Sequence, residues 1–209
     1  ITISREYGAG GHSIATRVAQ ELGVEVYDKD IIRNTVKESG LDAGIVEHEE
    51  EEISRADAFL RMITPAAYVD RREAIHEIER KVILMLAGKG PCVIIGRCAD
   101  AILDEANVDS LNVFVYADVL HRAVRVGELL DTKNPSEIQK AMKRTDAARR
   151  NHYNRFTGME YGKQEGYQLS IDSATLGTEK SVELIMECMR MWCDVRGTHP
   201  LSTLENSGS

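Results

Sequence analysis

Ile1-Thr2-Ile3-Ser4, followed at once by Tyr7-Gly8-Ala9-Gly10-Gly11-His12, decides the fold. The first four residues are short, alternating and β-branched in part, the composition of a strand. From Ser13 to Leu22 the apolar residues Ile14, Ala15, Val18, Ala19 and Leu22 recur at helical spacing, and Gly23 stands where a C-cap belongs. Val24-Glu25-Val26-Tyr27 then reads as a second strand, ending at Asp28-Lys29-Asp30. Strand, glycine loop, helix and strand in one short stretch open a parallel α/β sheet, because parallel neighbours require a crossover.

Working outward, Ile31–Ser39 is expected to be helical, and residues 40–72 are acidic and weakly periodic, with the run Glu47-His48-Glu49-Glu50-Glu51-Glu52. A helix over Glu73–Ala87 carries Ile75, Ile78, Val82, Ile83 and Leu86 on one face, and Gly88-Lys89-Gly90-Pro91 breaks it. Cys92-Val93-Ile94-Ile95 is a continuous apolar run, the pattern of a central parallel strand covered on both faces, and stops at Gly96-Arg97. A helix over 99–106 leads to a strand over 111–116. Helices over 119–130 and 135–154 follow, then a glycine-punctuated loop over 157–166. Tyr167–Ile171 reads as a fifth strand with Asp172-Ser173 at its end, Thr178–Val195 as the closing helix, and the residues after Gly197 as a loose tail.

The 209 residues suit one globular domain with insertions and can bury a sizeable core. With 34 acidic against 26 basic residues the chain carries −8, which argues against DNA, RNA or an anionic membrane as partner, since each needs a positive field. No window reaches the ~18 apolar residues of a membrane span, and no signal peptide is visible. Cys92, Cys98, Cys188 and Cys193 form no CxxC pair and lack zinc-ligand spacing, so they are expected to be reduced, mostly buried thiols of a cytoplasmic protein. His48, His76, His121 and His152 show no ligand spacing with one another and read as surface residues. Nothing in the sequence sets an oligomeric state.

The glycine loop admits three readings. Backbone N–H groups of Gly8–Ser13 can curl around a phosphate, backed by the helix N-terminus; the glycines can serve only a tight packing turn; or the loop can belong to a dinucleotide site, although no acid closes the second strand in the ordinary place. The pattern GxxxxGK[ST] is absent: in one frame the lysine position falls on Gly11, in the other on His12 with Ser13 as the metal-binding hydroxyl.

Lys140, Lys143, Arg144, Arg149, Arg150 and Arg155 surround the single acid Asp146, a basic cluster that is either a solvated helix face or a set of guanidiniums closing on a polyphosphate. Arg122 and Arg125 add positive charge after the fourth strand. Arg97 sits at a strand's carboxyl end, where ligands of open α/β sheets bind, or is a surface residue. Asp28 and Asp30 are candidates to bind a base or sugar or to cap the helix from Ile31, with Asp30 the stronger cap.

Together, Ile3-Ser4-Arg5-Glu6-Tyr7-Gly8-Ala9-Gly10-Gly11-His12-Ser13-Ile14-Ala15, Tyr27-Asp28-Lys29-Asp30, Ile94-Ile95-Gly96-Arg97 and Thr157-Gly158 through Asp172-Ser173 resemble the cytidylate-kinase-like family, a branch of the P-loop nucleoside monophosphate kinases. The resemblance implies an α/β three-layer sandwich around a five-stranded parallel sheet. Its core would comprise residues 1–39, 73–130 and 160–197, with a helical acceptor-binding insertion at 40–72, a lid at 131–159 and a tail at 198–209. It implies transfer of the ATP γ-phosphoryl, with Mg2+, to a small acceptor, by default CMP or dCMP. Carried onto this chain, Gly8, Ala9, Gly10, Gly11, His12 and Ser13 would hold the donor's phosphates, Ser13 the Mg2+, and Arg5, Arg122 and Arg125 would assist. Asp28, Arg33 and Arg97 would bind the acceptor, and the lid arginines Arg144, Arg149 and Arg150 would gather around the transferred group. This chain departs from the family's pattern in lacking the loop lysine, for which Arg5 or His12 are the substitutes at hand, and in having Ile95 where an aspartate precedes the Gly-Arg. A nucleotide-binding protein without catalysis, and a kinase for a non-nucleotide alcohol, are the two rival expectations.

Overall fold

In the computed structural model, which describes residues 1–38 and 65–197, the five expected strands form one all-parallel sheet in the order β2-β3-β1-β4-β5. They are β1 (Thr2–Arg5), β2 (Glu25–Tyr27), β3 (Cys92–Ile95), β4 (Asn112–Tyr116) and β5 (Leu169–Asp172). Seven helices are described: α1 (Gly11–Leu22), α2 (Lys29–Glu38), α3 (Pro65–Ala87), α4 (Ala99–Glu105), α5 (Val119–Leu129), α6 (Pro135–Thr157) and α7 (Ser173–Arg196). The first strand is the middle one, paired through Thr2 with Ile94 on one side and Asn112 on the other. The chain leaves β1 toward β2 and leaves β3 toward β4, so the crevice where connections diverge opens at the carboxyl ends of β1 and β3.

The pleat sorts side chains onto two faces. Ile3, Val93, Ile95, Val113, Val115 and Ile171 pack with Ile14 and Val18 of α1 and Val182 and Ile185 of α7. On the opposite face Ile94 joins Ile32, Val36, Val82, Ile83, Leu86, Ile102 and Tyr153 from α2, α3, α4 and α6. These are the three layers of an α/β sandwich. Two polar pairs are buried among them: the Thr2 hydroxyl donates to Asn112 Oδ1 at 2.7 Å, and the Tyr153 hydroxyl to Asp100 Oδ2 at 2.7 Å. Burial pushes the Asp100 carboxyl above its ordinary pKa.

Several local readings are corrected. α3 begins at Pro65 rather than Glu73; proline suits a first helical turn and Ala66-Ala67 are strong helix formers, which outweighs weak periodicity. It therefore runs without a break across the boundary drawn between residues 72 and 73. Asp28, not Asp30, caps α2, its Oδ1 accepting from the N–H of Asp30 and of Ile31 at 3.0 Å each. β5 starts two residues later than expected, because Tyr167 leaves a 3-10 turn over Gln164–Gly166 and lays its ring on Phe114. α7 starts at Ser173, where Asp172 caps it, and Gly177 (φ 70, ψ 174) kinks it just before the expected start at Thr178. The run Glu47–Glu52, His48, most of the 40–72 segment and the 198–209 tail lie outside the described residues. All four cysteines are free thiols; Cys98 and Cys193 are buried, Cys92 and Cys188 only half so. No described helix is long and apolar enough to cross a membrane.

Candidate functional site

β1 delivers the chain to the centre of the sheet edge, where residues 6–10 turn into α1. The turn is anchored at its start: Glu6 N–H donates to the Val115 carbonyl (3.0 Å) and Tyr7 N–H to Asp146 Oδ1 (2.8 Å). Ala9 N–H reaches back to the Glu6 carbonyl at 3.3 Å, and the first bond of α1 runs from Ile14 N–H to the Gly10 carbonyl at 3.1 Å. Between these anchors, the N–H groups of Gly8, Gly10, Gly11, His12 and Ser13 have no acceptor among the described residues. Bare amides at the N-terminus of a three-turn helix form a site that favours an anion. Two glycines are required for the shape. A Cβ on Gly8 (φ +84) would lie 2.7 Å from the Arg122 carbonyl oxygen, and one on Gly11 would lie 2.6 Å from Arg5 Cβ.

Neither sequence frame puts a lysine in this loop, and the structure brings a cation from elsewhere. Arg125 of α5 donates from Nη2 to Ser13 Oγ at 2.7 Å, and its Nη1 lies 3.3 Å from where a Cβ on Gly10 would stand. Arg122, one turn earlier, is buried in the fold instead: Nη1 donates to Asp146 Oδ2 at 2.6 Å and to the Tyr7 carbonyl at 3.3 Å, with Glu6 Oε2 3.5 Å from Nε. Asp146 thus joins α6, α5 and the glycine loop through two oxygens. His12 projects outward, its Nδ1 4.0 Å from Asp28 Oδ2.

Beside the loop, at the carboxyl ends of β1 and β3, a cleft of about 720 Å3 opens between α3 and α6. Arg5, Lys29, Arg72, Arg97, Arg144, Arg149 and Arg155 line it, and among the described residues no Asp or Glu does. In a chain of net charge −8 this is a strong local reversal. Burial first, and then Arg149, lower the Arg5 pKa to about 10, with Arg97 acting the same way. The Arg5 backbone is fixed where β3 has ended: the Tyr161 hydroxyl accepts from its N–H (3.0 Å) and donates to its carbonyl (2.9 Å), and Arg149 Nη1 donates to the same carbonyl at 2.9 Å. Arg97 is aimed by Gly96, Arg97 and Cys98, all at positive φ (71, 58 and 55). Such a run costs energy in non-glycine residues. Arg97 then donates to Glu79 Oε1 at 3.0 Å.

The α3–α6 wall of the cleft is aromatic. His76 stacks on Phe156 (3.9 Å between centroids, 12° between planes), and His152 meets the same ring edge-on at 4.8 Å. The expectation that His76 and His152 are surface residues is therefore corrected: both are half-buried and lie 5.9 Å apart. Their separation in sequence hides a pairing that only the crossing of two helices creates.

Of the residues proposed from sequence, Arg5, Arg97, Arg144 and Arg149 meet in the cleft, whereas Arg33 and Arg150 are not in its lining. Gly8 to Ser13 and Arg125 meet at the loop. Lys29, Arg72, Tyr161 and the histidine pair escaped the sequence reading; the strand-end position of Lys29, directly after Asp28, was the one available signal.

A model of the cytidylate kinase-like family matches residues 1–175. The chain belongs to that family. No curated protein matches its sequence. Among solved structures, an uncharacterized protein from Eubacterium ventriosum is similar at a TM-score of 0.69 and 20% identity, over 90% of this chain and 96% of that one. A Thermus thermophilus protein, TT1252, follows at 0.50 and 17%, over 91% and 95%, and a shikimate kinase from Bacteroides thetaiotaomicron at 0.49 and 15%, over 90% and 96%. At these identities the likeness is one of fold. Membership of that family makes this a kinase-like, nucleotide-binding architecture, of a kind that generally uses ATP and Mg2+.

Proposed function

We propose that this cytidylate kinase-like protein transfers the γ-phosphoryl group of ATP to a nucleoside monophosphate, CMP or dCMP by default. The observation that carries the reading is the cleft lined by seven cations and no described carboxylate, immediately beside five bare amides. An acceptor that brings its own phosphate suits such a cleft, since guanidinium forks bind phosphate in two-point fashion. Its nucleophilic oxygen is already ionised at neutral pH and needs no base. An alcohol acceptor would have to lose a proton, and for that the lining offers no described carboxylate and only the His76 and His152 imidazoles, packed against Phe156.

In this reading the N–H groups of Gly8, Gly10, Gly11, His12 and Ser13 hold the donor's β- and γ-phosphates. Arg125 supplies the charge that a loop lysine would otherwise bring. Arg5 and Arg97 hold the acceptor phosphate, with Asp28 at the mouth. Arg144 and Arg149 of the 131–159 lid meet the γ-phosphoryl as it passes. The acceptor oxygen forms its bond to γ-phosphorus while the bond to the β–γ bridging oxygen breaks, and ADP leaves with that electron pair. The protein's part is positioning and charge neutralisation. Ser13, whose hydroxyl oxygen accepts from Arg125 and has a further lone pair, would hold Mg2+, which would supply charge neutralisation at the phosphate oxygens.

A second reading, nucleotide binding without transfer, is favoured by one observation: Gly11 and His12 fill both frames where a lysine is required. Coupled ADP-release assays with CMP, dCMP, UMP, AMP and a set of small alcohols separate the readings. We expect ADP formation that depends on a monophosphate and no response to alcohols. Absence of turnover with every monophosphate, while ATP still raises the thermal midpoint, would select the second reading.

A further inference from the structure

We propose that His76 and Glu79 of α3, together with His152 of α6, form a binding site for a divalent transition-metal ion of the zinc type on the wall of the basic cleft. One ligand atom from each lies within 4.8 Å of the other two. His76 and Glu79 stand three residues apart on one helix and so share a face, and the crossing of α6 brings His152 to that face. Zinc bonds of ~2.0–2.1 Å place tetrahedral ligand atoms roughly 3.4 Å apart, so modest side-chain rotation closes the set.

The imidazoles suit this role. His76 Nδ1 is buried and makes no hydrogen bond. The Phe156 ring fixes the plane of one imidazole and the edge of the other, the orienting service that surrounding groups give to metal ligands. Glu79 already accepts from Arg97 at Oε1, and a carboxylate has lone pairs for a second partner.

The class of ion follows from the surroundings. Guanidinium groups nearby repel any cation, so a hard ion that depends on charge and oxygen donors, such as Mg2+ or Ca2+, gains little here. A borderline ion that bonds well to imidazole nitrogen is better placed. Three protein ligands leave a fourth position, as in zinc sites that bind a further group. Because His76 and His152 line the cleft, that position faces an incoming anion or water.

Co2+ titration of the full, nucleotide-free chain tests this. We expect one site per chain with the visible bands of a four-coordinate ion, lost on adding one equivalent of Zn2+ and untouched by excess Mg2+. His76→Ala and His152→Ala should each weaken binding by at least ~10-fold, while His121→Ala, an exposed imidazole elsewhere, should not. Paramagnetic broadening of wild-type amide signals gives a readout that needs no variant: it should centre on residues 75–80 and 149–155. Titrations identical in the wild type and both variants, or broadening centred elsewhere, would overturn the site.

Discussion

Arg149→Ala should lower turnover by about 10^2–10^3-fold, the usual cost of removing one preorganised donor from a developing charge, while shifting the affinity for ATP alone by less than about 3-fold. Arg149 comes from α6, lines the cleft, and stands 5.7 Å over the Tyr7 ring at the glycine loop. It is thus an α6 arginine that touches both the cleft and the glycine loop. Its bond to the Arg5 carbonyl is one of two there, the other coming from Tyr161, so the strand end keeps a partner after truncation. Arg149→Lys should recover only part of the rate, since an ammonium keeps the charge but loses the planar fork. Arg144→Ala is expected to behave alike, and Lys143→Ala, exposed and outside the cleft lining, is the control. Steady-state rates with CMP, set beside ATP binding by calorimetry, check the set. Unchanged turnover in both arginine variants would remove α6 from the reaction.

The largest stability effect is expected at Asp146. This carboxylate is 7% exposed and accepts from the Tyr7 N–H and from Arg122, itself 8% exposed. Asp146→Ala leaves a buried guanidinium with, among the described residues, only Glu6, 3.5 Å from Nε, as a charged partner, and strips the Tyr7 amide of its acceptor. Losing one member of a buried pair costs about 3–5 kcal/mol, which should appear as a lower urea midpoint. Because Tyr7 begins the glycine turn, nucleotide affinity should fall as well. The double variant Arg122→Leu/Asp146→Leu should recover part of the stability, because apolar replacements remove the uncompensated charge, but not the position of the loop. A loss below ~1 kcal/mol in Asp146→Ala would show that the ion pair does not secure α6 to the core.

Asp146 also shows where sequence reasoning stops. Within a basic run a single acid reads as one more solvated charge; its partner is 24 residues upstream and on another helix. The histidine pair, Lys29 and Arg72 are hidden for the same reason, since they reach the cleft only through the sheet order and the crossing of helices. What periodicity can carry was legible. Cys92–Ile95 matches β3 residue for residue because a strand covered on both faces is apolar throughout. The helix after the glycines was found from Ile14, Ala15, Val18 and Ala19, all buried on α1. Boundaries failed where propensity and pattern disagree, as at Pro65, and where a 3-10 turn comes before the strand, as over Gln164–Gly166. The missing lysine was legible at once; Arg125 was given a role at the loop only through the family resemblance, and its place over Gly10 comes from helix packing rather than loop sequence.

Amide signals of the 15N-labelled protein during ATP titration give the most direct measurement. If the β1–α1 junction holds the donor's phosphates, the signals of Gly8, Gly10, Gly11, His12 and Ser13 should move together and saturate at one equivalent, the Ala9 and Ile14 signals moving far less. Saturating shifts confined to other parts of the chain, with these five unmoved, would contradict the account.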